Sequence, residues 1–143
     1  DDSHEYHGQP GSRPGRGWVM VRSRYLTPEH LIRAMKKGDF YASSGVKLKD
    51  VQFNDSKKIL SLEIDADANA TYKTEFIGTL EHPDEESRIG KVLATSTDPN
   101  PSYQMKGNEL YVRAVVTSSL DAVDPSFKGQ KKQAWTQPVG WNP

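Results

Sequence analysis

Cysteine is absent from the 143 residues, which excludes disulfides and thiolate metal sites and leaves compartment unread from thiol usage. An excess of either charge is also missing. Nineteen bases balance nineteen acids, so the chain has no net basic field with which to hold nucleic acid or an anionic membrane surface. Apolar residues are thin, at 34% of the chain with a mean hydropathy of −0.77, and any core must be small. No apolar run approaches the length of a membrane span, and residues 1–15 lack the apolar centre of a secretion signal. No internal repeat is visible.

What is present falls into two parts. The opening, Asp1-Asp2-Ser3-His4-Glu5-Tyr6-His7, is polar and leads into a loop, residues 8–16, punctuated by Gly and Pro. The run Trp18–Arg22 reads as a short buried strand. Residues 26–38 carry the clearest helix signal. Thr27 is placed to cap the first turn through its hydroxyl, and Pro28 suits the first helical position. Glu29 and the Lys36-Lys37 pair complement the helix dipole, while Gly38 suits the left-handed residue that ends a helix. Leu31, Ile32 and Met35 share one face.

From Phe40 onward the period becomes two. Strands are expected over residues 40–45, 46–53, 59–66, 71–79, 91–96, 109–119 and 134–139. In residues 46–53 the apolar phase slips between Leu48 and Val51, which predicts a bulge near Lys49-Asp50. Leu60, Leu62 and Ile64 alternate cleanly, as do Leu110, Val112, Ala114 and Val116. Residues 118–131 read as loop, and Pro138 puts the last strand at an edge or at its own end. The expected fold is mainly β. Residues 45–143 form a small antiparallel β-sandwich, preceded by residues 1–44, a loop–strand–helix–strand unit. One strand and one helix cannot complete an α/β domain, so the first part is expected to be the end of a larger unit, and residues 1–16 the least packed.

Asp2 and His4 stand two residues apart, so in an extended segment both side chains reach one ion, and His7 is near enough in sequence to add a third donor. Oxygen and nitrogen donors suit Zn, Mn or Fe. The same triplet in a polar segment is also compatible with plain solvation. Arg13 and Arg16, in the loop that follows, fit two readings: bidentate contacts to a substrate phosphate, or a solvated basic loop. His30 and His82 have no ligand-like neighbours in sequence. Residues 82–88 read as a solvated charged face, and residues 90–102 lack the spacing of a phosphate loop.

Taken in order, Asp2-Ser3-His4, the strand and helix of residues 16–37, Gly38-Asp39-Phe40-Tyr41-Ala42-Ser43-Ser44-Gly45 and Ala134-Trp135-Thr136-Gln137-Pro138 resemble a known arrangement. It is the C-terminal end of metal-dependent phosphoesterases of the polymerase-and-histidinol-phosphatase (PHP) superfamily, in the bacterial branch described as CehA/McbA-like metallohydrolases. The likeness spans essentially the whole chain. It implies that residues 1–44 close a distorted (β/α) barrel and that 45–143 are a β-rich extension. It implies that Asp2 and His4 are metal ligands at a catalytic site. The family's H-x-H pair and its other ligands have no counterpart here, so the resemblance implies an upstream barrel on a longer polypeptide, and a phosphoester substrate. The fragment alone is then expected to be inactive.

A different class of function is also open: a non-catalytic β-sandwich that recognises a glycan or a protein. Tyr72, Tyr103, Trp135 and Trp141 are its candidate platform aromatics, and core filling is the competing role, favoured for Tyr72 and Trp135.

Overall fold

The computed structural model describes residues 3–8, 11, 13–82 and 86–141. Nine strands and one α-helix follow the order β1 (Trp18–Val21), α1 (Pro28–Lys36), β2 (Phe40–Ser43), β3 (Leu48–Asn54), β4 (Ile59–Ile64), β5 (Tyr72–Leu80), β6 (Lys91–Ser96), β7 (Ser102–Gln104), β8 (Glu109–Asp121) and β9 (Lys131–Thr136). Among the described residues one 3-10 turn, Glu86–Arg88, interrupts the β series. All strand pairs are antiparallel. Six strands form one sheet in the order β1-β2-β9-β8-β5-β6, and three form a second in the order β3-β4-β7.

The mainly β expectation is met. The two sheets enclose one core, because alternating residues of each strand point inward. Leu60, Leu62 and Ile64 of β4, with Tyr103 of β7, meet Phe76 of β5 and Val112, Ala114 and Val116 of β8. Phe76 and Tyr103 stack across the layers with ring centroids 5.5 Å apart. The slip in apolar phase is a real bulge: the β3–β4 register shifts between Leu48 and Asp50.

Four local expectations are corrected. The strand β1 is exposed rather than buried. It forms an edge of the six-stranded sheet, and Trp18, Val19 and Met20 are 42, 45 and 41% exposed. A short apolar run reads the same whether a neighbour covers it or not, and here α1 touches β1 without burying it. The Thr27 hydroxyl does not cap the helix; it pairs with His30 Nδ1 at 2.8 Å, while the Thr27 carbonyl accepts from the Leu31 amide at 3.0 Å. The strand β8 continues to Asp121 through what reads as loop, and the short β7 emerges directly after the turn residues Pro99 and Pro101.

Gly38 ends α1 with a φ of 78°. Of the helix's residues only Ala34 is buried; Leu31 is half-buried, and Ile32 and Met35 are 53 and 42% exposed. Tyr41, on β2, is in the core and pairs in register with Thr136 of β9. The six-stranded sheet therefore runs without a break from β1 and β2 into the strands that follow Gly45.

Candidate functional site

Asp2 lies outside the described residues. His4 is exposed, in a segment without regular structure. Nearby, the Tyr6 hydroxyl donates to the Ser3 carbonyl at 2.7 Å, and the Glu5 side chain packs against Gly11, so the segment folds back toward the Arg13–Arg16 loop. Arg13 forms an ion pair with Asp124, which ties this loop to the turn between β8 and β9. Arg16 is half-buried, and its Nε donates to the Arg13 carbonyl at 3.1 Å. The two arginines thus share one loop, and Arg13 is matched to a carboxylate.

A catalytic metal site takes about three protein ligands. Among the described residues no group of three or more His, Asp or Glu side chains could hold an ion. His4 alone is too small a donor set, so no chemical step can be derived through a metal from these residues. His30 is occupied otherwise: besides Thr27, its ring meets Tyr25 edge-on at 4.9 Å. His82 is exposed, on a backbone with φ of 58°.

The proposed platform aromatics do not form a row. Tyr103 is in the core. Tyr72 is half-buried, and its hydroxyl accepts from the Asp67 amide at 3.0 Å. Trp135 is half-buried and sits opposite the buried Val115. Trp141 is 65% exposed and stacks on Tyr111 at 6.2 Å.

Two features escaped the sequence reading. The first is a cleft of ≈ 680 Å³ between the β1–β2 end of the large sheet and β3 of the small one. It exists because six strands overhang three. Met20, Phe40, Tyr41, Val51, Phe53 and Leu60 supply its apolar lining. Arg22 bridges the sheets there, pairing with the Asp50 carboxylate and donating to the Val51 carbonyl at 2.9 Å. Asp50 also accepts from the Val51 amide and from Gln52, so its carboxylate is engaged in holding the bulge rather than poised for catalysis.

The second is a buried pair at the turn between β7 and β8. The Tyr103 hydroxyl donates to Glu109 Oε1 at 2.6 Å, and the same carboxylate accepts from the amides of Lys106 and Gly107 at 2.9 and 3.0 Å. Burial pushes the Glu109 carboxyl up, but the Tyr103 bond and the backbone amides outweigh it, and the net shift is down. Burial and then the adjacent carboxylate push the Tyr103 phenol up. The pair closes the turn. Only the acid at position 109 hinted at it, since a lone Glu opening an apolar strand is out of place.

Compared with family models, with curated proteins and with solved structures, the chain matches none.

Proposed function

We propose that this chain is the C-terminal part of a metal-dependent hydrolase that cleaves phosphate esters. The barrel that completes its metal site would precede Asp1 on a longer polypeptide. Asp2 and His4 would each hold a divalent ion, Zn, Mn or Fe, and such ions lower the pKa of a bound water and clamp phosphate oxygens. Arg13 and Arg16 would lie at the rim of that site. Residues 1–44 would then belong to the barrel end and residues 45–143 to its β extension.

The observation that carries the reading is the ordering of the motifs along the chain, and one structural relation supports it. Phe40–Ser43 and Ala134–Thr136, two of the segments on which the resemblance rests, are more than ninety residues apart in sequence. They are hydrogen-bonded neighbours in one sheet, with Tyr41, Ala42 and Ser43 facing Thr136, Trp135 and Ala134. Motifs that pair in space have a shared structural reason to occur together.

The test is metal analysis and a phosphatase assay on the longer polypeptide and on its His4→Ala variant. The variant should lose metal and most turnover while its β strands stay folded, since His4 is exposed and no core packing rests on it. Unchanged metal content and unchanged turnover would end the assignment.

A further inference from the structure

The two sheets have four edges, and three are defended against pairing with another strand. The strand β6 carries Lys91 and faces a bulge at Phe76–Ile77. The strand β3 carries Lys49, Asp50 and the Leu48–Asp50 bulge. The strand β7 is three residues long and follows Pro101. Charges, bulges, prolines and shortness are the usual means of blunting an edge. The fourth edge, β1, is also short at four residues but has no charge, proline or bulge within it: Trp18-Val19-Met20-Val21 is wholly apolar and pairs in unbroken register with β2.

The backbone of this edge is open. The Arg22 amide donates to the Asp39 carbonyl at 2.8 Å, which fixes the antiparallel alternation. Arg22, Met20 and Trp18 therefore turn their N–H and C=O groups toward β2, and Val19 and Val21 turn theirs away. No described residue pairs with them. In sequence around the edge, residues 16–39 hold six bases (Arg16, Arg22, Arg24, Arg33, Lys36, Lys37) against two acids, Glu29 and Asp39, and one of the six, Arg22, is paired with Asp50 of β3. Arg33, Lys36 and Lys37 make no ion pair among the described residues.

We infer that β1 is completed by a further strand, an apolar extended segment flanked by acidic residues, supplied by the part of the longer polypeptide that precedes Asp1. This rests on the proposed reading of the chain as the end of a longer hydrolase. Charge decides against a second copy, which would set one basic rim against another. Connection along one chain favours the upstream source, because a tethered strand meets the edge at high effective concentration.

The experiment compares amide exchange in the 143-residue chain and in the longer polypeptide, with metal content measured in parallel. In the shorter chain Val19 and Val21 should exchange fast while Met20 is protected by β2. In the longer polypeptide, protection at Val19 and Val21 should rise about a hundredfold or more. Val19→Pro removes an N–H that faces away from β2, a position where an edge strand tolerates proline. It should lower the denaturation midpoint of the longer polypeptide more than that of the shorter chain, whereas Met20→Pro should lower both. Fast exchange at Val19 and Val21 in both proteins, or an equal Val19→Pro effect in both, overturns the inference even when metal analysis upholds the hydrolase. Concentration-dependent protection in the 143-residue chain alone would assign the edge to a second copy and overturn the upstream source. Protection without bound metal would keep the strand and discard the hydrolase.

Discussion

Glu109 is an acid with 4% of its surface exposed and no ion-pair partner among the described residues. It is tolerated because a phenol and two backbone amides supply what water would have supplied. Hydrogen bonds to a charged group contribute roughly 1.5–3 kcal/mol, so Glu109→Gln should cost about 2 kcal/mol and Tyr103→Phe somewhat less. The sign with pH follows from the downward shift of the carboxyl. The stabilisation is full above the ordinary value of 4.5 and fades as pH falls through the lower folded value. Equilibrium denaturation between pH 3 and 7, values set on the order of the carboxylate range, should show Glu109→Gln losing the acid-side slope. An unchanged slope in that variant would place the acid sensitivity elsewhere.

At the scale of elements, the legible parts are those whose two faces differ. In β4 and β8 one face is sealed against the opposite sheet, so burial wrote an alternation into Leu60, Leu62, Ile64 and into Val112, Ala114, Val116. The β3 bulge was legible because an extra residue shifts that same alternation. The strand β1 was misread because its four apolar residues carry no alternation, and only the neighbour shows which side is wet. The Thr27 cap failed because His30, one turn on, competes for the same hydroxyl. The cleft and the Glu109 turn were illegible because both depend on which strands become neighbours. Of the candidate site, the Arg13–Arg16 loop proved a connected local unit, but its ion pair with Asp124 joins residues 111 apart, beyond any motif's reach. The same contrast between sealed and open faces predicts mutational cost. Phe76→Ala, at 0% exposure, should cost about 3–5 kcal/mol, whereas Ile32→Ala on the open helix face should cost under about 1 kcal/mol in this chain. Urea midpoints of the two variants check the ranking, and comparable losses would mean that α1 is covered in solution.

At the scale of the whole molecule, charge balance and a small core leave stability resting on how the strands are joined. The small sheet contributes only three strands, yet β4 and β7 supply four of the eleven buried core residues, Leu60, Leu62, Ile64 and Tyr103. Around that interior the six-stranded sheet divides into two groups. The strands β5, β6 and β8 pair among themselves, β1 and β2 do likewise, and β9 lies between the groups. The Gln133 backbone amide of β9 donates to Ser44 Oγ at 3.0 Å on one side, and its side-chain amide donates to Thr117 Oγ1 at 3.0 Å on the other.

That placement gives the sheet a chronology. In synthesis β9 emerges after all eight other strands, although β2 cannot reach β8 without it. Until β9 has emerged, the segment from Trp18 to Ser43 can pair β1 with β2 but has no link to β8 and the strands beyond it. Pairings this distant in sequence form slowly, because the loop they close is long. A chain ending at Gln130 should therefore strand the first group: proteolysis should cut within residues 18–43 quickly while β5 and β8 stay protected, and adding back a peptide of residues 131–141 should slow that cleavage. Of the nine described strands, β9 is the one that joins β1 and β2 to the rest.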